Sequence, residues 1–298
     1  MHKTASVHSE EVALNSSWSC ITCGRQGSGS FCSACGEKRL QSHDFSIKHA
    51  LEAAGEAFFH IDSKVFLTLK VLLTRPGKLT QEFFMGRRKP YMSPLQIFFV
   101  CNLLFFLLQP LTGLEILAPS LRVFDNDHSL TQQLINQRLE HKHLSRTNPQ
   151  EFEEFSLSFA HNAHLQAKSM ILVMALMLSL IVAVIYFPRH RYFTEHIVFS
   201  LHAYVWWLLW ILAILVVMAL SFLFSRLTGH QLSIRYIDAV ATPLEFGGLG
   251  VYLFFAGRRF YGDGLLPAIA RGIILTFCSY GVFHVYRYLL FFTVLYST

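Results

Sequence analysis

The chain has 298 residues, 53% of them hydrophobic and only 15% charged, whereas about a quarter are charged in an ordinary soluble domain. Net charge is +6 and mean hydropathy is +0.39. This balance excludes an ordinary soluble domain and leaves one membrane bundle with a small appendage.

Residues 1–19 are polar, with little to bury, and read as a disordered tail. They hold no apolar stretch of the kind that makes a secretory signal, so the head is expected to stay on the side where it is made. Residues 20–37 carry two knuckles, Cys20-Ile21-Thr22-Cys23-Gly24 and Cys32-Ser33-Ala34-Cys35-Gly36. Each gives two sulfurs from one tight turn, and the glycine that follows supplies the backbone angles the turn needs. Four thiolates close a tetrahedral shell around Zn²⁺ and leave no open position for a reactive water, so Cys20, Cys23, Cys32 and Cys35 are expected to bind structural zinc. A ribbon this short owns no hydrophobic core, and the metal would supply its folding energy. A reducing cytosol keeps such thiols available for metal. Cys101 and Cys278 lie alone in apolar runs and read as small packing residues.

Residues 44–91 read as amphipathic helices on the cytoplasmic or interfacial side. Ile47, Leu51, Ala54, Phe58, Ile61, Val65, Leu69 and Leu72 recur at helical spacing. Arg75-Pro76-Gly77 ends the stripe. A second short helix leads to the basic elbow Arg87-Arg88-Lys89, followed by Pro90-Tyr91, an interface anchor. Basic residues from Lys64 to Lys89 flank the first apolar run, so nucleic-acid binding is not expected.

From residue 93 to 298 the chain is read as a membrane helix bundle. Five apolar runs approach the roughly 20 residues a crossing needs: Ser93–Leu111, Ser169–Phe187, Ile197–Phe224, Tyr236–Ala256 and Leu266–Leu290. The fourth is the weakest, because it contains Asp238, Pro243, Glu245 and Gly247-Gly248. The link at about 113–168 is the one long loop and is expected to be extracytoplasmic. The lysine and arginine excess before the first run sets the N-terminus inside and, with five spans, the C-terminus outside. No internal repeat supports an inverted-repeat transporter.

The combination Phe31-Cys32-Ser33-Ala34-Cys35-Gly36, Phe66-Leu67-Thr68-Leu69, Leu72-Leu73-Thr74-Arg75-Pro76-Gly77, Glu82-Phe83, Gly86-Arg87-Arg88, Pro90-Tyr91 and Ser93-Pro94-Leu95, with the later Glu195-His196-Ile197-Val198-Phe199-Ser200-Leu201-His202, resembles a bacterial family of membrane proteins known only as a domain of unknown function. The resemblance implies a zinc ribbon on a multi-pass inner-membrane protein and implies no activity.

Ionisable groups at membrane depth are costly and face partners or water. The candidates are Glu195, His196, His202, Asp238, Glu245, His284 and Arg287. His202 and Glu245 are expected at similar depth, facing the bundle interior. Asp238 is expected to approach Arg287 or His284, and Arg271 to reach the cytoplasmic face. His128, His141, His143, His161 and His164 in the long link read as a solvated stretch rather than a metal site. No catalytic motif stands out. The leading expectation is therefore an accessory or scaffolding protein in the lipid bilayer, its ribbon contacting a cytoplasmic protein. The alternatives are a small-solute or ion transporter using His202 and Glu245, and an enzyme on a lipid-linked phosphate bound at the Arg87-Arg88-Lys89 elbow.

Overall fold

The computed structural model describes residues 17–39, 64–112, 116–118, 120–127, 129–228 and 234–298, apart from the side chains of 126–127, 129, 222, 226–227 and 234–241. Residues 1–16 of the expected tail and residues 44–63 of the amphipathic segment lie outside the described residues, as does the side chain of Asp238; the last three residues of the expected tail, Ser17–Ser19, are instead a strand of the ribbon.

The ribbon is built on a hairpin of β1 (Ser17–Ser19) and β2 (Gln26–Ser28), paired antiparallel with Trp18 opposite Gly27. The Trp18 indole closes it by donating to the Gly29 carbonyl at 2.8 Å. Two short helices follow, α1 (Lys64–Thr74) and α2 (Lys78–Phe84). Between them Gly77 has φ 77°, and a Cβ there would lie 2.7 Å from the Ala256 carbonyl oxygen. Both the left-handed backbone and the close approach require glycine.

The bundle consists of α3 (Pro94–Leu108), α6 (Pro149–Ile185), α7 (Phe193–Thr228), α8 (Ile234–Tyr261) and α9 (Leu265–Ser297), with α4 (Leu121–Asp127) and α5 (Ser129–His141) in the link between α3 and α6. The Ser93 hydroxyl caps α3 by accepting from the Gln96 N–H, with Pro94 at the first helical position. Asn148 and Pro149 start α6 in the same way.

Four stretches are long and apolar enough to cross a membrane by length and composition: Pro94–Thr112, Pro149–Ile185, Phe193–Ser225 and Leu265–Ser297. The fifth expected span is a helix of 28 residues, α8, but is not among them. Its acidic groups, proline and glycines dilute its apolar character. It packs beside α7 and α9 all the same. The expected loop at 113–168 is also corrected: it contains α4 and α5, and α6 starts twenty residues before Ser169. The amphipathic pattern there is a buried face: Phe124 meets Phe291 of α9 at 4.6 Å between ring centroids, and Phe159 of α6 lies 6.4 Å away.

Contacts fix the helix directions. His196 at the start of α7 bonds Tyr261 at the end of α8, and Asp263 before α9 bonds Tyr186 at the end of α6. The Met92 N–H before α3 reaches Thr68 of α1. All these termini gather at one end of the bundle, where α1 and α2 lie. At the opposite end, Ser297 and Thr298 bond Gln166 and Asn162 of α6. The long helices therefore alternate in direction.

Candidate metal centre and the polar end of the bundle

The two knuckles have the same local geometry. The Cys20 carbonyl accepts from the Gly24 N–H at 2.8 Å, and the Cys32 carbonyl from the Gly36 N–H at 2.8 Å. Gly24 and Gly36 are both left-handed, with φ 74° and 69°. The turns bring all four sulfurs within 4.8 Å of one another. Cys20–Cys35 and Cys23–Cys32 are each separated by 3.5 Å between sulfurs, well beyond the roughly 2.05 Å of a disulfide. The four side chains could hold one metal ion, and among the described residues they are the one group of this kind. The N–H groups of Cys35 and Ala34 lower the Cys32 thiol to about 6. The Glu37 N–H acts the same way on Cys35, but desolvation and the sulfurs of Cys20, Cys23 and Cys32 outweigh it and push that thiol up to about 12. Four sulfurs this close resist carrying four negative charges, which is the condition a bound cation relieves.

The ribbon is fastened to the rest of the chain by Glu37, which is buried. One carboxylate oxygen accepts from the Thr22 hydroxyl at 2.8 Å and from the Lys89 backbone N–H at 2.9 Å. A single side chain thus joins the first knuckle to the basic elbow. Sequence reading missed it, although it directly follows the second Cys-x-x-Cys-Gly. We expect Glu37→Ala to release the ribbon, at a cost of about 1–3 kcal/mol for the unpaired amide. Hydrogen exchange at Lys89 would then accelerate at least tenfold, and unchanged exchange would contradict the clamp.

The elbow is tied into its surroundings. Arg87 pairs with the buried carboxylate of Glu82 at 3.3 Å. The Arg88 guanidinium lies 4.2 Å over the Phe83 ring, and its Nε donates to the Phe83 carbonyl. Lys89 lies against Gly36 of the ribbon. Each of the three side chains thus engages the structure around the elbow, while Arg87 and Lys89 keep exposed surface.

The expected intramembrane groups separate. Glu195 accepts from Arg191 at 3.0 Å and from the Tyr192 N–H, holding the first turn of α7. His196 bonds the Tyr261 hydroxyl at 2.7 Å. His202 bonds Thr80 of α2 at 2.8 Å. The expectation that His202 and Glu245 share a depth fails. Counted from the His196–Tyr261 contact, His202 lies about 9 Å along α7 and Glu245 about 24 Å along α8. Both are buried, but they do not meet. Arg287 spreads over Phe124 and Phe283 at 5.7 and 5.8 Å from the ring centroids. His284 stacks edge-on with Tyr280.

A cluster that sequence reading did not single out is the most extensively paired. Asp263 lies in the short link between α8 and α9, its side chain fully buried. One carboxylate oxygen accepts from Arg189 at 3.1 Å and from Arg271. The other accepts from the Tyr186 hydroxyl at 2.9 Å. Burial and the Asp263 carboxylate raise the Tyr186 phenol, so it stays a donor. The Tyr186 ring stacks on Tyr261 at 3.6 Å, and Arg271 lies 4.8 Å over Tyr186. Arg271, expected to reach toward the cytoplasmic face, is held by this carboxylate at the ribbon end of the bundle.

A family model described as a protein of unknown function (DUF3667) matches residues 62–106. That segment contains α1, α2, the elbow and most of α3, and supports the part of the resemblance read from the motifs between Phe66 and Leu95. No curated protein and no solved structure matches the chain. The protein is thus a helical membrane protein with an N-terminal four-cysteine cluster, similar over residues 62–106 to that family of unknown function.

Proposed function

We propose that the protein is an accessory or scaffolding protein of a bacterial inner membrane, in which structural zinc folds the ribbon and the ribbon contacts a cytoplasmic protein. The observation that carries this reading is the convergence of four sulfurs in a module clamped by Glu37 to the bundle. A tetrahedral shell with Zn–S of about 2.3 Å has sulfurs about 3.8 Å apart. The closest pairs at 3.5 Å and the outer limit of 4.8 Å bracket that edge. Sulfur fills every position, so the metal has a folding role and no reactive water. The ribbon also keeps apolar side chains outside, Ile21 and Phe31, the latter 60% exposed. Exposed apolar groups beside a rigid metal core suit a protein contact.

The basic links at the ribbon end favour the cytoplasm for that end and the opposite side for Thr298. In this reading α8 is a fifth crossing, its polar groups facing the bundle. A periplasm-active reporter fused after Thr298 is expected to be active. Activity of a cytoplasm-only reporter there would remove α8 from the crossings.

The test of the function has two measurements. Purified full-length chain is expected to contain one zinc per molecule. A photo-cross-linker at Phe31 in cells is expected to capture one defined protein, and Cys32→Ser should abolish the capture. A zinc-free folded ribbon, or cross-links that persist in Cys32→Ser, would overturn the reading.

A further inference from the structure

At the ribbon end of the bundle the buried acids Glu82, Glu195 and Asp263 each pair with arginine. Asp263 differs from the other two because two guanidiniums share a single one of its oxygens. Two positive charges on one carboxylate leave one positive charge in excess. Each guanidinium has five N–H donors, and the carboxylate engages one nitrogen of each. Neither side chain is closed off: Arg189 is 41% exposed and Arg271 24%. The arrangement is rigidly built. The Tyr186 hydroxyl fixes the second carboxylate oxygen, and the Tyr186 ring supports the Arg271 guanidinium from below.

The surroundings indicate what the excess charge meets. Arg189 follows the end of α6, and Arg271 lies in the second turn of α9, where two apolar spans begin and end. Phe187, two residues before Arg189, and Leu265 and Leu266 in the first turn of α9 have 76%, 56% and 78% of their surface exposed. Apolar side chains left open next to a positioned pair of arginines match a ligand with a phosphate head and a hydrocarbon tail. We propose that Arg189 and Arg271, held by Asp263, form a binding site for the phosphate of an anionic phospholipid, whose acyl chains lie against Phe187, Leu265 and Leu266. Arginine suits the role because its planar fork takes two phosphate oxygens at once. A zwitterionic lipid brings its own cation and gains less from the excess charge. The buried carboxylate orders both forks before the lipid arrives, so little side-chain entropy is lost on binding. This site is independent of the ribbon and of any protein partner.

The experiment uses full-length protein in mild detergent and measures thermal unfolding and native mass spectra with phosphatidylglycerol, phosphatidylcholine or inorganic phosphate added. Phosphatidylglycerol is expected to raise the unfolding temperature by several degrees and to stay bound in the spectrum. The same amount of phosphatidylcholine or inorganic phosphate is expected to do neither. The double variant Asp263→Asn with Arg271→Gln leaves no unpaired buried charge and should bind the anionic lipid at least tenfold more weakly. Arg189→Lys keeps the charge facing Asp263 but loses the fork, and should weaken binding several-fold. Arg258→Gln, on the same end of the bundle, should leave binding unchanged. Equal binding by the double variant and Arg189→Lys would mean diffuse attraction to a basic face and overturn the site. An equal shift with inorganic phosphate would overturn the lipid as its occupant, and no shift with any probe would overturn both.

Discussion

Cys32→Ser is expected to unfold the ribbon and leave the bundle inserted. Structural zinc in small modules contributes an apparent binding energy of about 10–16 kcal/mol, which is folding energy when the module has no other core. Besides its sulfurs, this ribbon has a three-residue strand pair, the bridge from Phe31 to Lys38 and a few side-chain hydrogen bonds such as those of Trp18 and Glu37. Its buried hydrophobic side chains are Cys20 and Cys32. The bundle core, from Val71 through Leu295, is built on separate residues. Limited proteolysis should therefore cut the variant between residues 17 and 39 while the spans stay in the membrane fraction at normal levels. Chelation of the native protein should give the same cleavage. Loss of the whole protein from the membrane would mean that ribbon and bundle fold as one unit, with Glu37 the coupling element.

What sequence made legible follows the range of the physics involved. The four-cysteine cluster depends on two spacings of three residues and a glycine after each, so local chain geometry nearly determines it. The turn at Arg75-Pro76-Gly77 and the cap at Ser93-Pro94 are local in the same sense, and both appear where the residues indicate. The register between helices is not local. Placing His202 level with Glu245 requires knowing which residues of α7 and α8 meet, and the His196–Tyr261 contact shifts the two by about 15 Å. The early start of α6 escaped notice because hydropathy marks only apolar stretches. Residues 149–168 are helical with a mixed surface. Glu245, by contrast, is buried inside the bundle, as expected of it from sequence.

Asp263 was the least legible group, because a lone aspartate between glycines in Gly262-Asp263-Gly264 reads as a turn residue. Its partners come from 74 and 8 residues away. The available signal was the number of arginines in the short links at this end, which favours one buried acid to hold them. Replacing that acid should be the most damaging single change in the bundle. Asp263→Ala leaves the guanidiniums of Arg189 and Arg271 facing each other, and removes the acceptor of the buried Tyr186 hydroxyl. Breaking a buried ion pair from one side costs about 3–5 kcal/mol, reduced here because both arginines retain partial access to water. Three helix ends meet at this point, α6, α8 and α9, so the loss should spread to the Tyr186–Tyr261 stack and the His196 bond beyond it. Thermal unfolding of the purified variant should move down by several degrees. Asp263→Asn with Arg271→Gln should recover most of the loss, because an amide still accepts from Tyr186 and one cation has gone. If Asp263→Ala unfolds like the native chain, the carboxylate does not hold these helix ends together, and its two arginines are positioned by other contacts.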